Sequence, residues 1–440
     1  METTSSNINL IQLASLDAGA RRKLLKRSET DISAALDVAR RLIDEVRQSG
    51  DAAVSAHLKA IDHVEIAPGA FRVTDAEFDH AVQTLDPEIK VAVDHSIRNV
   101  RKFHETQMPE QITWAEVEPG VMAGEKVSAV DSIGLYVPRG KGAFPSVMIM
   151  LAVPAVVAGV KKIAVCTPPN PDGTVDTATL YAARQIGVEA IYKVGGATAV
   201  AALALGTETI PQVAKILGPG NQYCSAAKRL LSSDADMGLP AGPSESIILA
   251  DEHADPKLLA IDLLIEAEHG PDSAALLVVH DETIALKVRE LLPALIDELP
   301  EPRRTFCRTG MGSYGGIVVT RSLAESIDFV NEYGPEHMEL QVREPFGVLP
   351  KIENSGEVLI GPYTPISVGN FCLGVNAILP TGGFARSHSC TSVHSFIKRT
   401  SLAYCTREGF EALRKTTEIL AEYEGFPSHA RAVRNRPLPQ

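Results

Sequence analysis

The sequence predicts an α/β protein of two Rossmann-like open-sheet domains with helical N- and C-terminal extensions, and three observations point to it. From Ser132 onward, short β-branched apolar runs alternate with helix-length stretches, which is how parallel strands joined by crossover helices read. A Gly/Pro break at Leu239–Pro243 divides this alternation into two series. The 440 residues exceed what one hydrophobic core usually organises.

The elements follow in chain order. Residues 1–30 read as a helical arm, and Asp31–Ser49 places Ile32, Ala35, Leu36, Val38, Ala39, Leu42, Ile43 and Val46 close to a 3.6-residue period. The first series gives strands at Ile133–Pro138, Lys162–Pro169, Glu189–Gly195 and Ala214–Gly220, with helices at Val147–Val160, Thr177–Ile186, Ala197–Leu205 and Asn221–Leu231. The second gives strands at Glu245–Asp251, Ser273–His280 and Gly315–Thr320, with helices at Pro256–His269, Glu282–Leu299 and up to Tyr333. A Gly-rich stretch, Gly356–Gly383, and a helical tail complete the chain. The expected division is an arm (1–30), a first α/β domain (31–135 with 244–391), a second α/β domain (136–243) and the tail (392–440).

Composition narrows the function. A formal net charge of −13 opposes nucleic acid and anionic membrane as partners. The N-terminus lacks the pattern of a signal peptide, and Val147–Val160 is too short for a bilayer and carries Pro154, so a cytoplasmic location is expected. Six cysteines without a C-x-x-C pair argue against a disulfide framework or a Cys-rich zinc site.

Three local patterns carry chemistry. Glu266 and His269, three residues apart near a helix end, share one face and can hold one metal, although a solvated helix end has the same spacing. Glu336 and His337 are an adjacent acid and imidazole after a helix, suited to dividing proton work, or simply a turn. Gly218–Asn221 and Ala241–Glu245 lie at element junctions, where open sheets place ligands. No G-x-G-x-x-G occurs, so a dinucleotide would bind without that fingerprint.

Taken together, Gly238–Glu245, Ala267–Asp272, Tyr333–His337, Gly374–Thr381 and Glu424–His429 resemble the histidinol dehydrogenase family, with further likeness from Gly134 onward. The resemblance implies an NAD-dependent, zinc-containing enzyme. It would oxidise a small amino alcohol, L-histidinol or a relative, through an aldehyde to the carboxylate. It also implies a homodimer with shared active sites. The implied metal ligands are Glu266, His269, Asn370 and His429, the last from the partner subunit. The implied catalytic pair is Glu336 and His337, and Ser244 and Glu424 join the ligands and His337 at the substrate. NAD contacts map to Tyr136, Thr198 and Asn221, and so to the second domain.

This chain departs from the family pattern in placing Glu266 for a Gln, Asn370 for an Asp, Thr198 for a Gln, and Val375 and Ala377 for a Thr and a His. Glu266 and Asn370 compensate in charge. The alternatives are a relative acting on another polar alcohol, such as a sulfonated diol, or a non-catalytic binding paralogue.

Overall fold

A computed structural model of the chain describes residues 8–27, 33–139 and 142–436. Asp31 and Ile32 of the expected front helix lie outside the described residues, as do Met1–Asn7 of the arm. The chain forms two compact units, Met1–Gln107 with Asp131–Phe396, and Met108–Val130 with Ile397–Gln440.

The strands are β1 (Leu10–Gln12), β2 (Ile112–Glu118), β3 (Val121–Ala129), β4 (Ser132–Tyr136), β5 (Lys162–Thr167), β6 (Ile191–Lys193) and β7 (Lys215–Leu217). They continue with β8 (Glu245–Ala250), β9 (Ala274–Val279), β10 (Gly316–Val319), β11 (His337–Gln341), β12 (Glu357–Ile360) and β13 (Ile397–Cys405). In the first unit, β1-β10-β9-β8-β11-β12 and β6-β5-β4-β7 are two wholly parallel sheets. Central strands such as β4, β8 and β9 are buried on both faces, which is why they read as continuous apolar runs. On β8 and β9 the period-2 alternation sends Ile248, Ala250, Leu277 and Val279 to one core, and Ile247, Leu249, Leu276 and Val278 to the other.

Two expectations are corrected. Residues 31–135 are expected with the larger sheet, yet helix Ser33–His57 packs on helices Gly196–Leu205 and Gln222–Leu230 of the smaller one. Its apolar stripe, Ala35, Ala39, Leu42, Ile43 and Val46, joins a core with Val200, Leu203 and Ile216. The tail is also not wholly helical: β13 pairs antiparallel with β3, and β3 with β2, forming a three-stranded sheet in the second unit. Helices Arg407–Tyr423 and Pro427–Arg434 follow β13. Every residue of β2 is exposed, so no buried face imposes a hydrophobic alternation on it. Among the described residues no helix is long and apolar enough to cross a membrane.

One polar contact fixes the Gly-rich stretch. Pro154 lies inside the buried helix Pro145–Val157 and has no N–H to offer the carbonyl of Met150. Asn376 supplies the missing donor from its Nδ2 at 2.6 Å, while its Oδ1 accepts from the Ile378 N–H at 2.9 Å. The same Nδ2 lies 3.1 Å from Nε2 of His104, whose pKa burial lowers to about 4. Asn376→Ala should therefore cost about 3 kcal/mol, from stranding buried polar groups. In a Pro154→Ala background a helical N–H can reach Met150, so chemical denaturation of the double mutant should show a penalty smaller by about 1 kcal/mol. Strict additivity would contradict this account.

Candidate functional site

Register brings the acid–imidazole pair into a cluster. β8, β11 and β12 are neighbours, with His337 opposite Ser246 on one side and Glu357 on the other. Their amino ends therefore present Glu245, His337 and Glu357 side by side, with Glu336 one residue before β11. Helix Pro256–Ala267 runs back from the carboxyl end of β8 and delivers Glu266 to the same edge. Gly356 permits this closeness, because a Cβ there would stand 2.5 Å from the carbonyl oxygen of Glu336.

Nδ1 of His337 lies 2.5 Å from Oε1 of Glu357, and its Nε2 lies 3.7 Å from Glu336 Oε1 and 4.0 Å from Glu266 Oε1. The backbone N–H of Glu245 donates to Glu336 Oε2 at 3.0 Å. All five side chains are largely withdrawn from water. Burial raises the Glu336 carboxyl to about 8, against the opposing charge of His337 and with the help of Glu266 and Glu245. For His337, burial favours the neutral form, but Glu266, Glu336 and Glu357 outweigh it and raise the imidazole to about 10. Glu245 is pushed up to about 7 by burial, opposed by the Arg27 charge.

The expected metal ligands are partly assembled. Asn370 Nδ2 lies 3.5 Å from Glu266 Oε1, and His269 Nδ1 lies 3.3 Å from Glu266 Oε2. The same Nδ1 is 3.1 Å from the Ile265 carbonyl; donating there, it leaves the lone pair on Nε2, the form in which imidazole binds metals. A carboxylate, an imidazole and an amide oxygen, once the Asn370 amide turns its Oδ1 inward, form a set that suits a borderline dication. Glu266, Glu336 and His337 also bring ligand atoms within 4.8 Å of one another. Ser244 immediately precedes β8 at this edge. Glu424 and His429 belong to the second unit, so the first unit gathers part of the expected set.

Glu245 enters the sequence reading only as the end of the Ala241–Glu245 junction, and four participants escape it: Arg27, Glu357 and a buried acid pair, Asp262 with Glu339. A signal for the last existed, since His337, Glu339 and Gln341 alternate as polar residues along an otherwise buried strand. Glu339 Oε1 accepts from the Ile366 N–H at 2.7 Å, and its carboxyl hydrogen-bonds to Asp262. It thereby ties the helix carrying Glu266, the strand opened by His337, and the helix Ile366–Phe371 carrying Asn370. Two buried carboxyls in contact share a proton, and burial together with the Asp262 charge raises Glu339 from 4.5 to about 8.

A second locus lies at the carboxyl edge of the smaller sheet, where the strand order reverses between β4 and its parallel neighbour β7. A cavity of about 190 Å³ is lined there by Tyr136, Asn221, Gly196, Pro168, Asp62 and Arg139. The Tyr136 hydroxyl accepts from the Gly196 N–H at 3.0 Å, and Asn221 Oδ1 caps helix Gln222–Leu230 by accepting from Tyr223 and Cys224. Tyr136 and Asn221, which the resemblance maps to NAD, both line this cavity. Thr198 does not line this cavity: it is buried, with its hydroxyl 3.0 Å from Nδ1 of His57. Helix Ser33–His57 covers that side of the sheet and takes up the hydroxyl.

Two parallel sheets, with a cavity at the carboxyl edge of one and a buried acid–imidazole cluster at the amino edge of the other, have the makings of an α/β enzyme. The family profile of histidinol dehydrogenase matches residues 25–437, and the chain belongs to that family. It is 52% identical to a histidinol dehydrogenase of Synechocystis, over 97% of this chain and 98% of the relative. It is 50% identical to a histidinol dehydrogenase homolog of Cereibacter sphaeroides, over 97% of each. The crystal structure of histidinol dehydrogenase from Elizabethkingia anophelis superposes with a TM-score of 0.92 at 32% identity, covering 98% of both chains.

The proton shared by Glu339 and Asp262 has a consequence for stability. An acid raised in the fold contributes stability below its unfolded pKa, and that contribution is lost as pH rises through the folded value. Melting of the wild type should therefore fall between about pH 5 and 8, and Glu339→Gln should fall less. Equal slopes in a thermal-shift series would remove the shared proton from the account.

Proposed function

We propose that the chain oxidises a small amino alcohol, L-histidinol or a relative, through the aldehyde to the carboxylate, with NAD and zinc. The observation that carries this reading is the buried His337, gripped at Nδ1 by Glu357 and facing Glu336 and Glu266 with Nε2. Tyr136 and Asn221 would hold NAD, which would supply the hydride acceptor, and Glu266, His269 and Asn370, with His429 of the partner subunit, would hold a zinc ion that orients the substrate.

The rest of the work falls to this chain's own groups. With its Nδ1 proton directed at Glu357, His337 offers Nε2 to the proton of the substrate hydroxyl. Glu336, anchored by the Glu245 N–H, takes the proton of the water that adds to the aldehyde. His337 then accepts the hydrate's hydroxyl proton in the second oxidation. The balance is one alcohol, one water and two NAD giving one carboxylate, two NADH and three protons. The carboxylates that hold His337 protonated in the ligand-free site are those a bound dication would neutralise.

A second reading, another polar alcohol as substrate, is favoured by the departures at Glu266, Asn370 and Ala377. Charge bears on that choice. Four acidic side chains, Glu245, Glu266, Glu336 and Glu357, surround the site beside Arg27 and His337, so it offers a cation or an amine more partners than it offers a sulfonate. The proposed assembly is a cytoplasmic homodimer, supported by exposed Trp114, Tyr404, Tyr423 and Phe426 on the second unit. Sedimentation at twice the chain mass checks it, and a monomer would sink it.

Zinc-loaded protein should form two NADH per L-histidinol at about 1 s⁻¹ or faster, with other amino alcohols and sulfonated diols run alongside. Turnover of a different alcohol alone would select the second reading. No NADH from any alcohol would favour a binding role.

A further inference from the structure

We infer that Arg27, at the end of the N-terminal arm, is a positioning residue for the Glu336–His337 pair; the inference rests on the catalytic role proposed for that pair. Arg27 follows helix Ala18–Lys26 and has a φ of 56°, a left-handed value uncommon for a residue other than glycine. Its side chain is 5% exposed. Burying that charge is costly unless it is paired, and among the described residues its ion pair goes to Glu245 and its hydrogen bonds go to the Tyr333 and Gly334 carbonyls.

Arg27 Nε lies 2.9 Å from Glu245 Oε2, and Glu245 is the residue whose N–H holds the Glu336 carboxylate. The guanidinium carbon stacks 3.7 Å from the centre of the Tyr333 ring. One terminal nitrogen donates to the Tyr333 carbonyl and, at 3.3 Å, to the Gly334 carbonyl. Those carbonyls immediately precede Pro335 and Glu336, in a turn where Gly334 is itself left-handed with φ of 60°. Arg27 therefore grips the backbone that enters the pair and neutralises the acid that orients its carboxylate. A planar fork that stacks on a ring while donating in its own plane suits this place, and an ammonium does not.

The test compares wild type, Arg27→Ala and Arg27→Lys in steady-state alcohol oxidation, with circular dichroism to establish folding. A small misplacement of catalytic groups can cost on the order of 10²-fold in rate, so Arg27→Ala should lose kcat on that order while KM for NAD stays within about threefold. Added guanidinium should restore Arg27→Ala activity at least about tenfold, and urea, its neutral look-alike, should not. Should the alanine variant fail to fold, Arg27→Lys should show the same split between kcat and KM. A wild-type kcat in the folded variant, or a loss insensitive to guanidinium, overturns the positioning role alone. Absence of wild-type turnover overturns the proposed function and this inference together.

Discussion

Four buried carboxylates converge on one imidazole, and much of the surrounding structure answers that constraint. Isolated buried carboxylates are strongly disfavoured, and each of these has a specific relief. Glu357 faces His337, Glu336 accepts from a backbone N–H, Glu245 meets Arg27, and Glu266 lies against His269 and Asn370. The reliefs come from distant parts of the chain, from the arm before residue 28 to the Gly-rich stretch after residue 356. A bound cation would draw off the protons that burial leaves on Glu336 and Glu245, and that coupling is the physical core of the proposed function.

Sheet polarity then separates the tasks. The cavity with Tyr136 and Asn221 lies at the carboxyl edge of the smaller sheet, where doubly wound sheets bind their ligands. The acid cluster lies at the amino edge of the larger sheet, because Glu245, His337 and Glu357 open their strands. A helix returning from β8 ends at that edge, which is how Glu266 and His269 join residues from strands. Asp262 and Glu339 fasten this helix, strand β11 and the Asn370 helix together.

The legible part of the sequence was the part governed by periodicity. Parallel strands buried on both faces and amphipathic crossover helices left clear patterns, and helix Thr177–Ile186 has the expected bounds. The edge sheet of β2, β3 and β13 was illegible because β2 buries no face, so its composition follows no core. Glu266 with His269 and Glu336 with His337 were legible because each pair is local in sequence. Arg27 with Glu245 and Asn376 with Met150 were not, since their members are hundreds of residues apart and meet only through the fold. Thr198 meets helix Ser33–His57 through another long-range contact, its hydroxyl against Nδ1 of His57, which no local pattern announces.

The most direct measurement is a crystal structure of the zinc-loaded protein with an anomalous difference map at the zinc edge. The account predicts one strong peak per active site, ligated by Glu266, His269 and Asn370, with an imidazole from His429 of the partner subunit completing the shell. A peak at the separate Asp251–Glu252–His253 group instead, or none within the Glu266 cluster, would contradict the claim that the buried carboxylates exist to hold a cation.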